Sequence, residues 1–265
     1  MMTTSKIKLI SGWSKPGGST VAHINLVNLL NENGYDATFY GPHDYHLGKC
    51  KSGLIYEAEP LDNDDILIMH YFKINARPDV KKLILSCHET NIFPLQNISL
   101  EPYDAIHFVS ESQRKWHSVN KMSFIIPNVI SDLKKSPLNT SAAGVIGSID
   151  SHKQPHVAVR KALNAGYKTV YLFGETTDQE YAKKYIRPLL GDERVTVMGY
   201  LEDKQAMYDM VDSVFHFSKR ETFNYIKAEC EKTGVEYVGN RAAESGAVYE
   251  SNDEVLKQWT KLLKA

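Results

Sequence analysis

Two glutamates, Glu221 and Glu229, stand eight positions apart in the run Ser218-Lys219-Arg220-Glu221-Thr222-Phe223-Asn224-Tyr225-Ile226-Lys227-Ala228-Glu229. The apolar stretch Ser213–Phe217 before it reads as a strand, and the residues from Asn224 onward read as a helix. The spacing therefore puts one carboxylate in a strand-to-helix loop and the other about a turn inside the helix, both toward the open end of a sheet. Carboxylates there can accept hydrogen bonds from hydroxyl pairs such as those of a sugar or a ribose, bidentately if both oxygens serve. The plainer alternative is that Glu221 complements the helix dipole and Glu229 lies on the solvated face. Taken alone, a glutamate pair at this spacing favours that alternative.

Other polar residues recur where apolar runs end. Leu83-Ile84-Leu85-Ser86-Cys87-His88-Glu89 closes a strand with His88, and His70 closes Ile66–His70 in the same way. Gly12-Trp13-Ser14-Lys15-Pro16-Gly17-Gly18-Ser19-Thr20 joins a first strand to a helix that carries His23. Its backbone amides and the helix N-terminus can face a phosphate or a developing anion, although a tight turn also needs glycine. It is not the G-x-G-x-x-G fingerprint, which disfavours a nicotinamide enzyme. Asp62-Asn63-Asp64 has the form of an Asp-x-Asp metal motif but lies in an acidic turn before a buried strand. No histidine spacing makes a metal site, and Cys50, Cys87 and Cys230 form no C-x-x-C pair.

The elements that must position these groups alternate short apolar runs with amphipathic segments, the pattern of an α/β fold. Strands are expected at Ile7–Ile10, Ala37–Tyr40, Ile66–His70, Leu83–Cys87, Ile106–Val109 and Phe124–Ile126. A first helix runs from Ser19 or Thr20, as cap, to about Asn33, with Gly34 ending it. The polar stretch 131–143, with Pro137, reads as a linker. After it come strands at Val145–Ile149, Thr169–Phe173, Val195–Val197, Ser213–Phe217 and Glu236–Val238. Helices at Pro155–Ala165, Asp178–Leu190, Lys204–Met210 and Asn224–Thr233 lie between them, and Asp253–Lys264 closes the chain. Two domains follow, 1–131 and 132–265, with the terminal helix able to pack back on the first. The expected fold class is two Rossmann-like parallel-sheet domains facing across a cleft, which such sheets form at the carboxyl ends of their strands. At 265 residues, with a formal net charge of −1 and 42% hydrophobic residues, the chain has the composition of a globular protein and no general attraction to nucleic acid. No apolar run reads as a signal peptide or membrane span, and the odd cysteine count fits a reducing, cytoplasmic setting.

In this order the motifs resemble those of the family 4 retaining glycosyltransferases of the GT-B fold. The glutamate pair looks like that family's Glu-x7-Glu motif. Gly147 and Lys153 resemble its phosphate-binding glycine and lysine, Gly174 its Leu-x-Gly element, and Val197-Met198-Gly199-Tyr200 its Val-x-Phe-x-Gly element. Ser86-Cys87-His88-Glu89 is similar to its Thr-Val-His-Asp element, while Ser110-Glu111-Ser112 and Ile126-Pro127-Asn128 match further segments. The likeness runs from Ile7 to about Glu250. It implies catalytic roles for His88, Lys153 and Glu221. It implies a nucleotide-sugar site at Gly17, Gly18, Gly147, Ser148, Lys153, Gly174, Ser218, Thr222, Phe223, Asn224 and Glu229, with Glu229 on the ribose and Glu221 on the donor sugar. No metal and no cofactor are implied, which makes Asp62-Asn63-Asp64 a turn rather than a metal site. The expected donor is a UDP-sugar and the acceptor a hydroxyl of a saccharide, glycolipid or small molecule.

The sequence departs from that pattern at two places. Ser148 stands where the family has an arginine, so one cation on the diphosphate is missing unless Lys15, Lys219 or Arg220 replaces it. Thr222 and Asn224 stand where it favours glycine; their side chains would crowd the sugar pocket and point to a small donor such as a pentose. The short halves suggest a pared-down enzyme of a small genome, viral or phage, working in the host cytoplasm. Two alternatives stay open. One is a phage-type DNA glycosyltransferase acting on a modified base, with Lys73, Arg77, Lys81 and Lys82, or Arg114, Lys115 and Lys121 beside Trp116, as its basic patch. The other is a degenerate sugar-nucleotide-binding subunit.

Overall fold

The computed structural model describes residues 5–13, 17–43, 49–71, 74–89, 99–117, 119 and 121–264. Lys15 and Lys73, named above, lie outside them. The chain divides into two units, Met1–Ile130 with Gly246–Ala265, and Ser131–Ser245. In chain order the first unit contains β1 (Lys6–Ser11), α1 (Gly18–Glu32), β2 (Asp36–Gly41), β3 (Ser52–Leu54), β4 (Ile66–His70), β5 (Lys82–Cys87), β6 (Ala105–Phe108), α2 (Glu111–His117) and β7 (Ser123–Ile125). The second contains β8 (Ala142–Ile146), α3 (Pro155–Asn164), β9 (Thr169–Phe173), α4 (Gln179–Tyr181, continued by π and 3-10 turns to Gly191), β10 (Val195–Gly199), α5 (Lys204–Asp209), β11 (Ser213–His216), α6 (Tyr225–Thr233) and β12 (Glu236–Gly239). Helix α7 (Asn252–Lys264) returns to the first unit.

Each unit is an open, wholly parallel sheet. The orders are β3-β2-β1-β4-β5-β6-β7 and β10-β9-β8-β11-β12. Strand order reverses between β1 and β4 in one and between β8 and β11 in the other, and ligands bind at the carboxyl ends beside such reversals. The first sheet is buried on both faces, so its central strands read as continuous apolar runs. Ile66, Ile68 and Ile84 turn to α1 and α7, packing with Val27, Leu30 and the 2%-exposed Trp259. Leu67, Met69, Leu83 and Leu85 turn the other way, toward Tyr103 and Phe108.

Several expectations need correction. Helix α1 starts earlier than expected: Gly17 is its N-cap and no side chain caps it, while Thr20 is fully buried. Strand β8 begins at Ala142 rather than Val145, because small residues of low strand propensity fill its first half and are buried against β9. The stretch before it is not a loose linker. Asp212 accepts hydrogen bonds from the backbone N–H of Asn139 (2.7 Å), Thr140 (2.9 Å) and Ser141 (2.7 Å), and Ser136 N donates to Thr233 O at 2.9 Å. Residues 62–65 do form a turn: Asp64 N donates to Asp62 Oδ1, and Asp62 N to Asp65 Oδ2. Asp65 in turn pairs at 2.7 Å with Lys8, buried in the middle of β1. Elements β3 and α2 carry no clear periodicity and escape a sequence reading. Among the described residues no helix is long and apolar enough to cross a membrane.

Candidate functional site

The reversal point of the second sheet is built on glycine. Gly147 and Gly174 have φ of +136° and +143°, and a Cβ on Gly174 would stand 1.9 Å from Gly147 O. Only glycine lets these two strand ends approach so closely. Beyond Gly147 the chain wraps Asp150, whose carboxylate accepts from Ser148 Oγ (2.5 Å), His152 N (2.8 Å), Lys153 N (2.7 Å) and Thr177 Oγ1 (3.2 Å). Burial presses the Asp150 carboxyl upward, but these donors outweigh it and hold it below the ordinary range.

That turn delivers Lys153 to Glu221: Nζ lies 2.6 Å from Oε1. His216, at the end of β11, donates from Nε2 to the same oxygen at 2.9 Å. The Glu221 side chain is 11% exposed. Burial alone would raise its pKa; the Lys153 charge and the His216 bond reverse that and bring it to about 2. Two loop bonds keep the carriers together, Lys219 N to His152 O (2.9 Å) and His152 Nε2 to Arg220 O (2.8 Å). The structure thus joins Gly147, Gly174, Lys153 and Glu221, and adds Asp150, His152 and His216. A histidine in the otherwise apolar Val-Phe-His-Phe run was the one available sequence signal for His216.

The other expected residues divide. Glu229 is on neither a solvated face nor an open edge: it is 2% exposed, with Oε1 bound by Lys204 Nζ and Oε2 accepting from Tyr208 Oη at 2.9 Å. Asn224 does not crowd a pocket. Its Oδ1 caps α6 through Lys227 N (3.0 Å), and its Nδ2 donates to Tyr237 Oη and Ala243 O, both at 2.8 Å. The crowding argument for a small donor sugar therefore rests on Thr222 alone. Ser218 is fully buried and donates to Arg220 O at 3.0 Å. Phe223 is 5% exposed and meets Tyr225 edge-on, ring centroids 5.0 Å apart. Ser148 is turned to Asp150, while Lys219 and Arg220 are exposed.

In the first unit, Gly17 and Gly18 at the start of α1 are exposed, and among the described residues no side-chain cap bond forms at the N-cap Gly17. His88 belongs to a chain of bonds. His107 Nε2 donates to Ile126 O (2.8 Å), its Nδ1 therefore accepts from Ser86 Oγ (2.9 Å), and His88 Nε2 donates to Ser86 Oγ (3.0 Å). Burial lowers the pKa of His107 to about 4 and holds His88 and His23 well below the ordinary value, so all three are neutral at pH 7. His23 packs 4.5 Å from His88 and 4.4 Å from His70, and neither of its ring nitrogens has a hydrogen-bond partner among the described residues. Among those residues no group of three or more His, Cys, Asp or Glu is arranged to hold a metal.

The described cations of the expected basic patches have partners within the chain. Arg77 binds Asp104 (2.9 Å), Lys82 binds Leu262 O (2.7 Å), Arg114 binds Glu111 through two nitrogens (2.7 and 2.9 Å), and Lys121 binds Glu101 O (3.1 Å). Modified DNA is thereby left without support as a partner.

No family model and no curated protein matches this sequence. Solved structures do resemble it. Anabaena HepE in complex with UDP and glucose superposes with a TM-score of 0.71 at 14% identity, over 98% of this chain and 89% of that one. WaaG, a glycosyltransferase involved in lipopolysaccharide biosynthesis, gives 0.64 at 9% identity, over 98% and 90%. AviGT4, a glycosyltransferase involved in avilamycin A biosynthesis, gives 0.65 at 16%, over 97% and 88%. The fold is thus the two-domain α/β fold of the GT-B glycosyltransferases. The compactness expected to set this chain apart is largely shared by these structures.

Proposed function

We propose that this protein is a retaining glycosyltransferase that moves a sugar from a nucleotide-sugar, with UDP as the nucleotide, to a hydroxyl acceptor, without a metal or cofactor. The observation that carries this reading is the Lys153–Glu221–His216 cluster at the reversal point of the second sheet. A nucleotide-sugar joins a sugar to a diphosphate through one bond. A cation for the phosphate and a carboxylate for the sugar hydroxyls must therefore be neighbours, as Lys153 and Glu221 are. Lys153, with the exposed Lys219 and Arg220 in place of the missing arginine, would stabilise charge growing on the departing diphosphate. Glu221 would bind the sugar and Glu229 the ribose. The acceptor oxygen attacks the anomeric carbon on the face the diphosphate leaves. The carbon–oxygen bond to phosphate breaks, and the diphosphate takes the acceptor's proton.

The test is release of UDP from UDP-sugars with a panel of saccharide acceptors in the presence of EDTA, with the product's anomeric configuration read by NMR. Acceptor-dependent turnover with retention supports the proposal; inversion or a requirement for added metal overturns those parts of it. The Ser148–Asp150 bond, which puts a carboxylate where a cation is expected, favours one second reading: a degenerate sugar-nucleotide-binding subunit. Nucleotide binding without turnover on any acceptor would establish it.

A further inference from the structure

The reversal point of the first sheet carries two aromatic rings that the donor chemistry does not use. Strands β1 and β4 end side by side, Ser11 opposite His70. Just past these ends stand Trp13 and Tyr71, ring centroids 6.2 Å apart and planes inclined at 58°. Trp13 is 41% exposed, although tryptophan is on average highly buried. Tyr71 has φ of +53°, a left-handed conformation that a bulky residue keeps only when its surroundings impose it.

A polar network joins the two strand ends. Gly12 N donates to His70 O at 2.8 Å, and Trp13 N donates to Ser11 Oγ at 3.1 Å. Ser11 Oγ lies 2.5 Å from Trp13 O and 2.7 Å from His70 Nδ1. His70 Nε2 donates to the Glu89 carboxylate at 3.0 Å, and Glu89 O accepts from Gln113 Nε2 at 3.1 Å. Ser11 and His70 are both 0% exposed, so Ser11 is a brace rather than a nucleophile. A chain of buried and partly buried bonds thus runs from α2 to β1, and the strand ends it joins carry one exposed aromatic side chain and one aromatic residue at a left-handed φ, at the place where open parallel sheets bind ligands.

We infer that Trp13 and Tyr71 form the acceptor platform, and that the acceptor is a cyclic saccharide whose C–H face lies on these rings. This rests on the glycosyltransferase reading above. Tryptophan and tyrosine offer flat apolar faces with polar rims, which match a pyranose: C–H bonds on its faces and hydroxyls around its edge. Ile74, the described aliphatic residue next along the Tyr71 loop, is partly buried and packs against the core with Val80, Leu83 and Leu85. A nucleobase in DNA would also stack, and oligonucleotides are therefore an arm of the test; Arg77, Lys82 and Arg114 are bound to the protein's own carboxylates and carbonyls.

The test uses the full chain with Trp13→Ala, Trp13→Phe, Tyr71→Ala and Tyr71→Phe, and thermal melting to confirm folding. Free mono- and disaccharides are titrated against tryptophan fluorescence, and steady-state kinetics are run with a UDP-sugar donor. The expected result is a saccharide-dependent fluorescence change in the wild type that Trp13→Ala abolishes. The acceptor KM should rise roughly tenfold or more in both alanine variants while the donor KM stays within about twofold. The two phenylalanine variants, which keep a ring, should stay close to the wild type. An acceptor KM indifferent to Trp13→Ala, or a response to oligonucleotides or lipid vesicles in place of saccharides, overturns the platform while leaving the transferase reading intact. A Trp13-dependent saccharide response in a protein that binds no nucleotide-sugar supports the platform and rejects the transferase reading instead.

Discussion

Lys153 Nζ and His216 Nε2 meet on a single oxygen of Glu221, at 2.6 and 2.9 Å, from opposite sides of the point where the second sheet reverses its strand order. The second donor is the one the sequence hid. It makes Glu221 a carboxylate with both position and charge already set before any substrate arrives.

Removing the cation should therefore cost stability as well as rate. Lys153→Ala leaves the buried Glu221 with His216 as its partner and without the Lys153 charge, and should lower stability at pH 7 by about 2 kcal/mol, discounted because Lys153 is a quarter exposed. Transfer should slow by roughly 10²–10³-fold. The folded carboxyl titrates near 2, below its unfolded value, so its stabilisation is present above about pH 4.5 and is lost as pH falls toward 2. Glu221→Gln should flatten the acid limb of the stability curve over that window, as chemical denaturation at several pH values would reveal.

In the proposed transferase His216 would be a positioning residue, acting through Glu221, to which it donates at 2.9 Å. His216→Leu should lower kcat while leaving nucleotide affinity nearly unchanged. His216→Gln, which retains a donor, should recover part of the rate. A purely structural histidine would instead show equal losses in both variants that track the melting temperature.

The glycines separate architecture from ligand approach. Gly174→Ala places a methyl 1.9 Å from Gly147 O at a positive φ, and should destabilise the second unit by about 3 kcal/mol or more. Gly17 has extended backbone and nothing within 4 Å of a built Cβ, so Gly17→Ala should melt within about 0.5 kcal/mol of the wild type. Any loss of turnover in Gly17→Ala then reports close approach of a ligand.

Three histidines make the first unit sensitive to mild acid. His23, His88 and His107 are held neutral by burial, and their folded pKa values lie below the unfolded one near 6.5. The unfolded chain binds protons first, so stability is full above pH 6.5 and falls as pH drops, by up to roughly 1.4 kcal/mol per pH unit for each histidine. His23→Leu removes two buried nitrogens that have no hydrogen-bond partner among the described residues, and should raise the midpoint at pH 5 more than at pH 7. Equal midpoint changes at both pH values would contradict this account.

Much of this was legible in advance, and the failures have causes. Continuous apolar runs such as Ile66–His70 mark strands buried on both faces, and Asn224 and Gly234 punctuate α6 through its cap and its left-handed end. Gly147, Lys153, Gly174 and Glu221 were marked by the family resemblance rather than by their spacing alone, and the fold brings them together. The small residues Ala142–Gly144 concealed the start of β8, since strand propensity is low where burial decides. The partners of Glu229 were invisible, because Lys204 and Tyr208 reach it across the fold from another helix.

Glu229 gives the most direct test of the central claim, that the second unit binds a nucleotide-sugar. Its carboxylate is covered by Lys204 and Tyr208, and ribose would have to take the place of Lys204. The measurement is the thermal midpoint of the wild type and of Glu229→Gln against UDP-, GDP- and ADP-sugars, with Lys204→Met alongside. At about 100 times its dissociation constant, a ligand of the folded state adds roughly 2.7 kcal/mol. The account predicts that a UDP-sugar raises the wild-type midpoint, that Glu229→Gln loses most of that rise, and that Lys204→Met keeps or exceeds it. No response to any nucleotide-sugar, or a response unchanged in Glu229→Gln, would contradict it.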